Sequence, residues 1–206
     1  MHPSDRTARG KICRQALSLF ADHGADAVTL RQVAAAADVS PSLVVHHFGG
    51  KKGLREAVND YTLAVLGRFL DGLSVAPGAA GDDRAGHSMV HELVTALPDG
   101  SPVLAQLARL LTGDEAAGRQ IFRRWHQVRL ARLDAMVGMG QAPPPCNRPL
   151  RAAWLTANDL AVLLLRNRLR EVLGGDPLAP GRSERWTEES AVMCGGEFRV
   201  VRRQCM

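Results

Sequence analysis

Aromatic residues are scarce in this chain, 4% of 206 positions with a single tyrosine. Its 46% hydrophobic fraction is instead rich in Ala, Leu and Val, so β-branched and aromatic residues do not dominate and helices are favoured over sheets. Long apolar runs are missing too. No segment reaches the roughly 18 apolar residues that a membrane helix needs, and the N-terminus has no apolar signal region, so a soluble, cytoplasmic protein is expected. Cysteine is sparse: Cys13, Cys146, Cys194 and Cys205 fall in no CxxC or metal-like spacing, which argues against a disulfide framework. Charge of one sign is also in short supply. The net charge is +5 with pI near 9.5, and residues 1–60 hold eight Lys/Arg against six Asp/Glu. That balance permits a polyanionic partner without pointing to one. No Ser/His/Asp set, paired carboxylates, Gly-rich phosphate loop or metal-ligand spacing stands out. The HxxxH at His87/His91 lacks a third ligand nearby. Neither an enzyme nor a cofactor is expected. The length suits one or two domains of a core-forming protein.

What is present is a compact pattern from Thr29 to Lys52, TLRQVAAAADVSPSLVVHHFGGKK. Thr29 is a good N-cap, and Gln32 three residues later completes a capping box. Leu30, Val33, Ala34 and Ala37 then repeat at helical spacing. Asp38 falls where the chain must turn sharply, and Asp tolerates left-handed backbone angles better than most residues. Ser40-Pro41 restarts a helix, with Ser as cap and Pro at the first helical position. Val44 and Phe48, one turn apart, point inward. Ser42, Leu43, His46 and His47 are left for the other faces of a very short helix. Helix-turn-helix geometry would present such a helix to the DNA major groove.

The segment resembles the DNA-binding domain of the TetR-like family of bacterial transcriptional regulators. That family's pattern is met by Thr29, Val33-Ala34, Ala37-Asp38-Val39-Ser40, His47-Phe48 and Lys51, and upstream by Phe20 and Gly24. The resemblance covers roughly residues 8–60. Three positions depart from the pattern: Asp38 replaces the usual turn Gly, Val45 a Tyr whose hydroxyl contacts phosphate, and Gly50 a capping Ser. The expected DNA contacts are Thr29, Arg31, Ser40, Pro41, Ser42, Leu43, His46, His47, Lys51 and Lys52. Helix starts at Thr29 and at Gly50-Lys51 offer backbone N–H groups to phosphates, with Lys51 and Lys52 adding charge. Arg31 points outward toward phosphate or a guanine edge, and Ser42 and Leu43 are placed for base edges.

The remainder reads as further helices. One runs from about Thr7 to a left-handed cap at Gly24; another runs from Lys51 to about Leu73. Ser74–Gly86 is a Pro/Gly/Asp-rich break. Helical patterns resume at His87–Leu97, Ser101–Leu111, about 24 residues from Asp114, Leu150–Leu173, and Ser183 to about Met193. The expectation is therefore an all-α protein. An N-terminal three-helix DNA-binding domain (1–55) would join a larger helical domain (56–206) for ligand binding and dimerisation. Ala161–Leu165 is apolar on every side, which suits burial or an interface.

The resemblance implies a homodimer through the last long helices, binding a palindromic DNA operator, with half-sites about one helical turn apart or a multiple. It also implies a small-molecule effector whose binding shifts the recognition helices through the helix from Lys51. Polar or aromatic residues inside apolar patterns are the candidate ligand contacts: His91, Trp125, His126, Arg129, Trp154, Asn158 and Asp159. They suit a mostly apolar ligand with few polar anchors. Asp159 is equally suited to a network with an arginine. Two other readings stay open: a TetR-like fold that acts through protein contacts without reading DNA, and a helical enzyme or metal sensor.

Overall fold

The computed structural model describes residues 8–75, 89–98, 100–140 and 143–179, with positions 182, 185, 186 and 189 beyond them. All regular structure among these residues is helical: α1 (Ala8–His23), α2 (Leu30–Ala36), α3 (Pro41–Phe48), α4 (Lys51–Val75), α5 (Met89–Ala96), α6 (Pro102–Thr112), α7 (Ala116–Gly138), α8 (Arg148–Leu164) and α9 (Arg166–Leu173). No described helix is long and apolar enough to cross a membrane. Packing divides the chain into two compact units, one of Met1–Arg68 with Asp99–Ile121 and one of Phe69–Pro98 with Phe122–Met206.

The first unit is built on the apolar stripe of α1. Ile12, Ala16, Leu17 and Phe20 are buried together with Val33 and Ala34 of α2, Val44 and Phe48 of α3, and Leu54 and Val58 of α4. Helix α6 packs along α1, contributing buried Leu107 and Leu110. Polar ties reinforce this packing. Arg109 of α6 donates from Nε to the carbonyl of Ala21 (2.9 Å) and from Nη2 to that of Asp22 (3.0 Å), satisfying carbonyls that the end of α1 leaves without helical partners. Arg55 of α4 donates to Glu115 at 2.5 Å, and Asn59 donates to the other oxygen of that carboxylate at 2.7 Å. The Arg55 hydrogen bond, opposed by burial and helped by Asn59, holds the Glu115 carboxyl below its usual range.

The second unit buries Met89, Val90 and Leu93 of α5 with Trp125, Val128 and Leu133 of α7 and Ala152, Leu160 and Leu163 of α8. The stretch expected as one helix over Leu150–Leu173 is two. Leu165 leaves helical geometry at φ −98°, ψ 10° and joins α8 to α9. No Pro or Gly marks the joint, so nothing in the local sequence announces it. Next to it Arg166 grips Asp176 through Nε (2.9 Å) and Nη2 (2.5 Å). Within Ala161–Leu165, Val162 and Leu163 are buried, whereas Leu164 and Leu165 are 40% and 52% exposed. The Asp114 helix begins two residues later than expected, at Ala116, leaving Glu115 free to face Arg55.

Several expectations fall outside the described residues: the N-terminal tail 1–7, the break from residue 76 onward, His87, and most of the segment after Ser183. Arg182, Arg185, Trp186 and Glu189 are helical.

Among the described residues, Asp176 gathers two arginines. Besides Arg166 it receives Arg170 Nη2 (3.1 Å) and the backbone N–H of Leu178 (3.1 Å), and Leu178 is buried beside it. The Arg166 hydrogen bond, against the cost of burial, lowers the Asp176 carboxyl from 3.8 to about 2. A depressed folded value means the carboxylate stabilises the fold above the unfolded value and stops doing so as pH falls through the folded one. Asp176→Asn should destabilise the protein by about 1.5–3 kcal/mol near neutral pH. The gap to wild type, followed by urea denaturation, should close between pH ~4 and ~2.

Candidate nucleic-acid interface and ligand-binding residues

Helix α3 is too short to persist alone, and its two caps and two inward side chains hold it. The Ser40 hydroxyl accepts from Leu43 N–H at 3.2 Å and Pro41 takes the first helical turn. Val44 and Phe48 are the buried anchors. At its end Gly49 adopts φ 70° and donates to the Val45 carbonyl, a left-handed cap that costs glycine least. Before it, Asp38 makes the inter-helix turn at φ 52°, as its position suggested.

The outward faces follow from this anchoring. Ser42 and His46 are exposed, Leu43 and His47 half-buried. Ser42 shares a hydrogen bond with Ser40 (Oγ···Oγ 2.9 Å). The His46 and His47 rings meet edge-on at 5.4 Å, and His47 continues onto Phe48 at 6.3 Å. Pro41, Thr29 and Arg31 are exposed. Thr29 forms the full capping box: its N–H and hydroxyl both donate to Gln32 Oε1 (2.7 and 2.8 Å), and Gln32 N–H donates back to Oγ1 at 3.3 Å. The hydroxyl's one proton is thus engaged within the helix start. Lys51 donates from Nζ to the Asp26 carbonyl at 2.7 Å, pinning the loop after α1 to the start of α4 and leaving two further N–H bonds. Lys52 is freer: its nearest acid, Glu56, lies 4.0 Å away, and the two side chains are 91% and 64% exposed, a pairing worth ~0–1 kcal/mol.

Two residues outside the expected set matter here. Val45 is 47% exposed on the outward face between Ser42 and His46. The complement of the Val44/Phe48 spacing could have revealed it. Gly53 is packed so closely beneath α3 that a Cβ there would fall on the Phe48 carbonyl oxygen. Only tertiary packing shows this.

The candidate ligand contacts lie mostly in the second unit's interior, not all together. Trp125 and Arg129, one turn apart on α7, converge on Asp159 of α8: Trp125 Nε1 donates to Asp159 Oδ2 at 3.4 Å, and Arg129 Nη2 donates to the same oxygen. All three are buried, and Phe69 packs on Trp125 with ring centroids 6.4 Å apart. The network of Asp159 with an arginine is therefore present. His91 is half-buried on α5, with Nδ1 buried and lacking a hydrogen-bond partner among the described residues. His126 Nε2 lies 3.3 Å from the Pro149 carbonyl. Asn158 is half-buried. Trp154 faces outward, 55% exposed. Among the described residues no three His, Cys, Asp or Glu gather as a metal site.

Comparison with known proteins agrees with this geometry. Residues 12–58 match the family described as bacterial regulatory proteins, tetR family. The HTH-type transcriptional regulatory protein RaaS of Mycobacterium tuberculosis is 28% identical over 171 residues, covering 83% of this chain and 76% of that protein. The fold is shared with the fatty acid degradation regulator FadR of Bacillus halodurans (TM-score 0.69, 14% identity, 97% of this chain and 98% of that one). It is shared also with SmeT in its triclosan complex (TM-score 0.65, 18% identity, 90% of each chain).

Gly53→Ala should displace α3 from α4 and destabilise the protein by about 1–3 kcal/mol, as overpacking does. Gly67→Ala, with nothing within 4 Å of the added methyl, should instead be neutral or stabilising by up to about 1 kcal/mol. Thermal denaturation of the two single variants checks the contrast.

Proposed function

We propose that this chain, whose residues 12–58 match the tetR family of bacterial regulatory proteins and which is similar to a transcriptional regulator over most of its length, is a homodimeric repressor. In this reading it works in the cytoplasm and binds a palindromic operator until a mostly apolar small molecule releases it. The observation that carries the proposal is the outward face of α3. A helix anchored by two buried side chains leaves Ser42, Val45 and His46 exposed, flanked by Lys51 and Lys52 at the start of α4. Phosphate contacts fix the register of such a helix, and side chains on its open face read bases. We assign the phosphate role to Lys51, Lys52 and Arg31, together with the helix starts at Thr29 and Gly50. The base-reading role goes to Ser42, Leu43 and His46, with Ser40, Pro41 and His47 shaping the helix that presents them.

An electrophoretic mobility shift with DNA flanking the protein's own coding region tests this. A sequence-selective shift at moderate salt is expected; its absence would favour the reading in which the fold acts through protein contacts. Lys52→Ala and Lys51→Ala should each weaken binding to all sequences alike and reduce the log–log salt slope by about 0.9. Substitutions at Ser42 or Leu43 should change the preferred sequence.

Dimerisation is proposed through α8 and α9. Leu150, Trp154, Leu164, Leu165, Val172 and Leu173 are 65%, 55%, 40%, 52%, 83% and 45% exposed, a concentration of large apolar side chains that marks an interaction surface. Trp154 fits that face better than a ligand site. Sedimentation should show a dimer for wild type, and Leu150→Glu/Trp154→Glu should yield a folded monomer with weakened operator binding.

The effector is proposed to bind in the second unit, where Trp125, Arg129, Asp159 and His91 supply polar atoms inside an apolar interior. His126 and Asn158 lie half-buried on the same helices. RaaS is a transcriptional regulator, which supports that role here, and SmeT is described with triclosan bound, which supports response to a ligand.

A further inference from the structure

The polar groups inside the second unit are matched in charge but not in hydrogen bonding. Arg129 and Asp159 form a buried pair whose side chains are 6% and 5% exposed. Arg132, three positions beyond Arg129 on α7, pairs with Glu92 of α5 at 2.6 and 3.3 Å, the side chains being 11% and 16% exposed. Each of these two cations thus has one carboxylate. Yet Arg129 Nε, which can only donate, has no acceptor among the described residues. Buried N–H groups are almost always satisfied, and a guanidinium donor left open beside Trp125 and Asp159 is an address for an acceptor supplied from outside.

We infer that Arg129 Nε receives a neutral hydrogen-bond acceptor, a carbonyl oxygen of a ketone, ester, lactone or amide, carried by an otherwise apolar effector. This deepens the effector-site reading above and rests on it. Charge decides between acceptors. A carboxylate would make the strongest single hydrogen bond to a guanidinium. Here, however, it would be a second anion on a cation already neutralised by Asp159, and the desolvation of an unmatched ion outweighs one hydrogen bond. A cationic ligand has no acceptor to offer. A neutral carbonyl takes the open N–H and leaves the balance of charge untouched. Asp159 acts as a positioning residue: it holds the guanidinium through Nη2 while Trp125 Nε1 donates to the same oxygen. The orphan Nδ1 of His91 offers a second neutral polar contact in the same unit.

The test is displacement of the apolar dye N-phenyl-1-naphthylamine from the purified full-length protein by three probes of equal chain length, 2-decanone, decanoate and decane. Wild type and Arg129→Lys are compared. Lysine keeps the charge that pairs with Asp159 but removes the Nε–H. The expected result is displacement by 2-decanone at lower concentration than by decanoate or decane. In Arg129→Lys that concentration should rise by about tenfold, the size of one buried hydrogen bond, while decane is unchanged. Should the lysine variant lose its helical circular dichroism, Arg129→Met/Asp159→Leu, which removes both charges together, takes its place. Preference for decanoate, no displacement by the ketone, or a ketone preference that survives loss of the Nε–H would overturn the inference while leaving the effector site standing. Failure of the dye to bind wild type would overturn the effector-site reading, and the inference with it.

Discussion

The two side chains of Val44 and Phe48, seated under an eight-residue helix, are the contact on which the outward face of α3 depends. A helix of two turns forms too few backbone hydrogen bonds to offset its own ordering. Burying one valine and one phenylalanine is worth about 1.5–3 kcal/mol for each side chain, and α3 exists because that burial is available. The Ser40 cap, Pro41 and the left-handed Gly49 lower the cost of starting and stopping it. The same anchoring determines what is left outside, since a helix held by residues 44 and 48 must turn 42, 45 and 46 away. Presentation to a partner is thus a consequence of how little the helix can bury.

The platform beneath it is assembled from distant parts of the chain. Arg109 reaches the end of α1 across 87 and 88 positions of sequence, and Glu115 gathers Arg55 and Asn59 of α4. Hydrogen bonds to charged groups contribute about 1.5–3 kcal/mol each when partly buried, several times more than the exposed Lys52–Glu56 pair. The helix-turn-helix segment is therefore stabilised by α6 and the residues just before α7, although its own sequence motif ends well before them.

In the second unit the interior carries two ion pairs and a tryptophan N–H, which is expensive unless each group is satisfied. Replacing such pairs with apolar residues commonly leaves a protein as stable or more so. Their presence argues for a role other than stability, in line with the effector site proposed above.

Much of the local structure is legible in the order of residues alone. Capping at Thr29 and Ser40, the turn at Asp38, the left-handed end at Gly24 (φ 83°) and the inward spacing of Val44 and Phe48 all act within a few residues, so periodicity and cap chemistry reveal them. The family pattern over residues 8–60 is legible for the same reason. Tertiary structure alone decided the rest. The break at Leu165 has no Pro or Gly to announce it, and Gly53 matters only because α4 closes on the Phe48 carbonyl. Trp154, which hydropathy could place inside or out, faces outward, while Arg129 lies inside because Asp159 is there to meet it. Whether a polar residue is buried depends on what faces it across the fold, and that partner lies tens of residues away, beyond the reach of any local pattern.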